Sequence, residues 1–154
     1  MSMPQLNPAD PAYVKVRYLG ELTRIAILAV AFAVAAVAFV PWLYIGTALC
    51  VAWLLWWLWL VPAQVKNLGW LETENELLLT KGKLWHTFTV VPYGRIQFVD
   101  VKAGPIERAF GLKHVELHTA SSTSDSKVRG LKGDVADALR ERLAEKARER
   151  MSGL

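Results

Sequence analysis

Two patterns of apolar and polar positions divide the chain. From Ile25 through Val65, 41 consecutive residues include no Asp, Glu, Lys, Arg or His, whereas beyond Lys66 short alternating runs are separated by Gly, Pro, Asn and Ser. One helix of that length would extend about 60 Å at about 1.5 Å per residue, twice the roughly 30 Å of hydrocarbon in a bilayer. Two spans fit if the chain reverses near the middle, where Pro41-Trp42 and then Gly46 stand. The pattern predicts an N-terminal segment over 1–21, a transmembrane hairpin over 22–62 with spans at about 22–40 and 43–61, and a separate domain over 67–154. A cleaved signal peptide would start nearer Met1 and would not lead into a second apolar run.

The flanks set the orientation. Lys15 and Arg17 precede the first span and Arg24 stands at its very start, Lys66 follows the second, and the turn between them is uncharged. Short basic segments stay on the cytoplasmic side, so both termini are expected there. Trp42 and Tyr44 mark the outer rim, and Trp56, Trp57 and Trp59 the inner one, where an apolar ring with a polar tip is best accommodated. Trp53, Trp56, Trp57 and Leu60 form an i, i+3, i+4, i+7 stripe, and Ala26, Ala29, Ala33 and Ala36 a small-residue stripe on the first span. Such faces either pack the two spans together or offer a docking surface to a membrane partner. From Ile25 on, the spans hold no Asp, Glu, Lys, Arg or His, which argues against a proton relay, ion path or transporter. Cys50 is the only cysteine and lies in the second span, so an intramolecular disulfide or cysteine zinc cluster is excluded.

The second half reads as strands closed by a helix. Runs over 68–73 and 76–81 flank a tight Glu74-Asn75 turn, and Gly82 leads into 84–91, where Leu84, Phe88 and Val90 share one face and Thr87 and Thr89 the other. Pro92 and Gly94 break the pattern. A strand over 97–103 places Val99, Val101 and Ala103 on one side with Ile96 and Phe98 out of phase, which predicts a bulge or a strand start there. Gly104 and Pro105 open a short turn of helix, PIERAF, that Gly111 suits as a left-handed cap. A strand over 113–119 follows, then a polar loop over 120–126, a short strand over 127–131, and a helix from Asp134 as cap to about Met151 with Val135, Leu139 and Leu143 as its apolar stripe.

The order of GKL, VPYGRIQFVDV, GPIERAFGL and VELHTA after a two-span hairpin resembles the membrane-flanked bacterial PH-like domain family, over about Leu22 to Leu143. The resemblance implies a mainly-β PH-like barrel or half-barrel with a C-terminal α-helix, in the bacterial cytoplasmic membrane. It is similar to the small members that accompany a larger protein with several such domains. Five or six strands can be read beyond Lys66, against seven in that fold.

The formal net charge of +4 comes from interleaved acids and bases without a Lys/Arg block or an RNA-binding aromatic pattern, so no nucleic-acid partner is expected. A basic tilt suits an anionic inner leaflet. Arg95 and Arg108 are the candidate partner or lipid contacts, able to grip a carboxylate or a lipid phosphate if neighbours such as Asp100 and Glu107 do not already hold them. His114, Glu116 and His118 alternate onto one strand face and offer metal-ligand chemistry, against the simpler reading of a solvated outer face. No nucleophile with a base, carboxylate pair or phosphate loop is recognisable, so neither an enzyme nor a cofactor is expected. The expected function is a membrane-tethered interaction or scaffold subunit that works with a larger multi-span protein or a second copy. The alternatives are an inner-leaflet sensor of anionic lipid and a metal-dependent enzyme built on His114 and His118.

Overall fold

The computed structural model describes residues 5–38, 41–82, 85–120 and 126–153. Phe39 and Val40 at the end of the first expected span, Leu84 in the third expected strand, and residues 121–125 of the polar loop lie outside that set. Two long helices, α1 (Ala12–Ala38) and α2 (Leu43–Lys66), form the hairpin. Both are long and apolar enough to cross a membrane, and only 11% of each apolar window is buried, unlike the core helices of a soluble bundle. They approach closely where Gly46 meets the ring of Phe32; a Cβ on Gly46 would lie 2.9 Å from that ring. Ala36 is buried and Ala29 and Ala33 are half-buried, whereas Trp53, Trp56 and Trp59 remain exposed. The small-residue stripe thus serves the hairpin, and most of the tryptophans face away from it.

Pro62 lies inside α2 and cannot donate to the carbonyl of Leu58, four residues earlier. The Tyr18 hydroxyl donates to that same oxygen at 2.6 Å. In an apolar setting an unpaired carbonyl is costly, so α1 repairs the ladder that α2 lacks.

α1 begins ten residues before the expected span, because its first turns belong to the sheet domain. Tyr13 and Val16 of α1, Val61 and Val65 of α2, Ala9 and Leu112 form one buried apolar cluster. Among the described residues the sheet domain has seven strands in two antiparallel sheets that do not close into a barrel: β1 (Asn7–Pro8), β2 (Gly69–Glu72), β3 (Glu76–Lys81) and β4 (Thr87–Pro92) in that order, then β5 (Ile96–Lys102), β6 (Leu112–Thr119) and β7 (Ser126–Lys132). A 3₁₀ turn (Tyr93–Arg95) joins the sheets, and α3 (Pro105–Ala109) joins β5 to β6. The strand missing from the sequence count is β1, two residues that pair with Trp70 and Gly69 from the far side of the hairpin. Asn and Pro carry no strand pattern, so nothing in the sequence marks it.

The register shift between Ile96 and Phe98 lets Ile96 and Val99 both turn inward despite their odd spacing. On β4 the buried side chain is Val91, opposite Leu77, while Phe88 and Val90 face outward. α4 (Gly133–Ser152) buries Ala136, Leu139, Leu143 and Ala147 against Tyr93, Ile96, Val115 and Leu117. Its cap is Lys132, not Asp134, because the helix starts at Gly133; Asp134 stays in the first turn, where the dipole favours it. Arg142 grips Glu72 of β2 through Nε and Nη2, at 3.1 and 2.8 Å to Oε1, and Lys146 donates to Glu72, to the Thr73 carbonyl and to the Tyr93 hydroxyl. α4 therefore ties the first sheet to the second.

Two glycines with positive φ separate backbone strain from steric conflict. Gly111 (φ +68°) has no neighbour within 4 Å of a built Cβ, whereas a Cβ on Gly130 (φ +71°) would lie 2.9 Å from the Cβ of Ala9 and 3.1 Å from that of Tyr13. Gly111→Val is expected to cost only the strain, about 1–3 kcal/mol. Gly130→Val should cost clearly more and detach the start of α1 as well. Urea unfolding of the full chain in detergent micelles checks this, and equal losses would contradict it.

Candidate functional site

The outer face of the β5-β6-β7 sheet is polar and internally paired. Register sets Glu116 on the central strand opposite Asp100 on one side and Lys127 on the other, and places His114 opposite Lys102 and His118 opposite Phe98. The Glu116 carboxylate takes one ammonium on each oxygen, Lys102 on Oε2 and Lys127 on Oε1, both at 2.5 Å. Although it lies on the outer face, Glu116 is only 7% exposed. The hydrogen bonds from Lys102 and then Lys127 outweigh its desolvation and hold its pKa down at about 2; the Lys102 ammonium is correspondingly raised by the same bond.

The two histidines extend the network. His114 sets Nδ1 2.9 Å from Glu107 Oε2 and Nε2 3.5 Å from Glu116 Oε1. His118 stacks on Phe98, with centroids 4.2 Å apart, and its Nε2 lies 3.7 Å from both Asp100 and Glu116. His114, Glu116 and His118 do share one face, but the central carboxylate is occupied by two lysines. Among the described residues no group of three or more His, Cys, Asp or Glu is arranged to hold a metal ion.

Arg95 and Arg108 do not come together. Arg95 ends the 3₁₀ turn before β5, and Arg108 lies in α3 beyond the other end of that strand. The seven residues of β5 put about 20 Å between them at about 3.3 Å per residue. Both are exposed, and neither makes an ion pair or side-chain hydrogen bond with a described residue. Glu107 is engaged by His114 and by the Gly104 amide at 2.8 Å, and Asp100 faces His118. Of the turn residues, Pro92 precedes the 3₁₀ turn, Gly104 precedes α3, Pro105 is its first residue and Gly111 follows its end. Ile106 of α3 touches Gly20 of α1, at 3.7 Å from a built Cβ, and lines a shallow hollow with Arg17 and Arg24 of α1.

A second surface, unremarked in the sequence, lies on the first sheet. β4 is its last strand, with β3 on one side and no described strand on the other. Phe88 (55% exposed) and Val90 (42%) stand on its outer face next to Leu78, with Trp85 (85%) just ahead of the strand. The alternation in TFTVV was visible; which of its faces would be covered was not, because that depends on the pairing of Val91 with Leu77.

A hairpin of apolar helices, two antiparallel sheets of four and three strands, and a C-terminal helix packed across them define a PH-like module carried on a helical hairpin. A family model described as Bacterial PH domain matches residues 14–147, hairpin included, and the chain belongs to that family. No curated protein and no solved structure matches it.

The Glu116 network has a definite pH signature. Its pKa is depressed when folded, so its contribution to stability is fully present above the ordinary value of 4.5 and fades as pH falls from there toward about 2. With both lysines partly solvated, the contribution is on the order of 1–2 kcal/mol. Glu116→Gln should be less stable by that amount at pH 7, with the gap closing below about pH 4. Urea midpoints of the two full-length chains between pH 7 and 3 measure it, and a gap independent of pH would contradict the assignment.

Proposed function

We propose that the chain is a non-enzymatic interaction module, tethered in the bacterial cytoplasmic membrane by the α1–α2 hairpin with both termini cytoplasmic, that holds another membrane protein through its strand-rich surface. The partner is a larger multi-span protein with similar domains or a second copy of the chain. The observation that carries this reading is the β4 edge. Proteins normally blunt an edge strand with charge, proline, bulges or cover, since its unpaired amides and carbonyls are a template for another strand. β4 is six residues long, uncharged, carries the exposed Phe88 and Val90, and has its one proline, Pro92, only at its last position. A similar strand pairing there buries both and extends the sheet. The polar face of the second sheet supports the same reading, since its carboxylates and lysines are held by one another.

One observation favours a second reading, a sensor of anionic lipid: Arg17 and Arg24 line a hollow with Ile106 of α3 just before the uncharged run, and the same short helix carries the exposed Arg108. The metal-dependent alternative at His114 and His118 loses support because Lys102 and Lys127 hold the intervening carboxylate.

Full-length protein released gently from native membranes is expected to copurify with itself or with a multi-span protein. Val90→Glu should weaken that association about tenfold or more, because a charge set into an apolar strand pair costs more than about 1.4 kcal/mol. Size-exclusion chromatography with light scattering reads the result. A partnerless monomer that binds anionic vesicles strongly and loses them in salt would favour the lipid sensor instead.

A further inference from the structure

The main-chain groups along the free edge of β4 can be assigned one by one. The Tyr93 amide donates to the Asn75 carbonyl at 3.1 Å, and these two residues are the next pair in the register that sets Pro92 opposite Glu76. Pairs in an antiparallel ladder alternate between those that exchange hydrogen bonds and those that do not. Val91, Thr89 and Thr87 therefore bond to β3, while Phe88, Val90 and Pro92 turn their main-chain groups away from it. The other side of β3 agrees: the Thr73 amide donates to the Glu76 carbonyl at 3.0 Å, which turns Leu78 and Thr80 toward β2 and leaves Leu77 and Leu79 for β4. No described residue takes up the outward amides of Phe88 and Val90. The edges of the second sheet are blunted, β5 by Asp100, Lys102 and a register shift, and β7 by Lys127, Arg129 and Lys132. β4 carries no charge.

We propose that the occupant of this edge is the β4 strand of a second copy of the chain, paired antiparallel about a two-fold axis at Thr89. The proposal rests on reading the chain as an interaction module held through β4, and it names the partner. The donor pattern selects the register. With Phe88 opposite Val90 of the second copy, and Val90 opposite its Phe88, the outward amides and carbonyls of both residues are bonded on both strands. Setting Val90 opposite Val90 would bring Phe88 against Pro92, which has no N–H to give. Setting Phe88 opposite Phe88 would bring Val90 against His86, outside the strand. An odd shift would set the outward groups against groups already bonded to β3. The selected register also places a phenyl ring beside a β-branched side chain twice on the outer face, a pairing that favours sheets. The same two residues supply both halves of the contact, as a two-fold interface requires, and an uncharged strand brings no like charges together across the axis.

The test uses full-length chains with Cys50→Ala in native membranes, oxidised with copper phenanthroline. In this register the two Thr89 residues face each other with Cα atoms about 4.5 Å apart, within the span of a disulfide. The two Thr87 residues are about 14 Å apart, because each lies opposite Val91. Thr89→Cys is expected to give a disulfide-linked dimer and Thr87→Cys to give none. A second arm does without oxidation: Val90→Glu should weaken self-association in micelles about tenfold or more by light scattering. Adding Phe88→Lys should restore it to within about threefold, since each lysine then meets a glutamate of the other copy. No dimer from Thr89→Cys, equal dimer from both cysteine variants, or no recovery in the double variant would overturn the proposal. If Thr89→Cys does not cross-link while Val90→Glu releases a larger multi-span protein from the native complex, only the second copy is refuted. The module reading fails separately if Val90→Glu leaves every native complex intact.

Discussion

Asp10 holds the molecule together. Its amide donates to the Gly130 carbonyl of β7, its carbonyl accepts from Tyr13, and its carboxylate accepts from the Ala12 amide at 2.8 Å while facing Lys132. One residue therefore satisfies an otherwise orphaned amide at the start of α1 and anchors that start to the second sheet. Just before it, Asn7 and Pro8 pair with the first. The six residues from Leu6 to Pro11 thus belong to the domain that folds on the far side of the hairpin, and α1 and α2 leave and re-enter that domain at one place. The Tyr13, Val16, Val61, Val65 and Leu112 cluster fills the junction with apolar contact. The hairpin is an insertion in a strand-rich module rather than a leader attached to it, and the family match beginning at residue 14 runs across both.

Much of this was legible because the signals were local. A 41-residue run without charge can only be a pair of apolar helices, and the alternation in β5 and β6 assigned Val99, Val101, Val115 and Leu117 to one side. The odd phase of Ile96 and Phe98 announced the bulge that appears there. What sequence could not supply is pairing. β1 is two residues of the wrong composition, recruited by β2 across more than fifty positions. Alternation grouped Phe88 with Val90 but could not say that they face outward, since Val91 and Leu77 decide that through register.

The same limit governed the sites. His114, Glu116 and His118 were visible as one face of a strand, but the lysines that neutralise Glu116 come from both neighbouring strands, and their arrival turns a metal-like triplet into a closed ion network. Arg95 and Arg108 looked like a pair because thirteen positions separate them in sequence; the intervening strand is straight enough to put them at opposite ends of the sheet. The β4 edge, on which the proposed function rests, is defined by which strands pair among the described residues, and so is invisible to a reading of individual residues.

The whole account turns on a sheet domain fixed to its hairpin rather than swinging on a tether. Spin labels at Val51→Cys in α2 and Glu145→Cys in α4, with Cys50 replaced by Ala, report this directly by pulsed electron–electron resonance in nanodiscs. The account predicts one narrow distance distribution that broadens when Asp10 is changed to Ala. A broad distribution in the chain that retains Asp10 would contradict it.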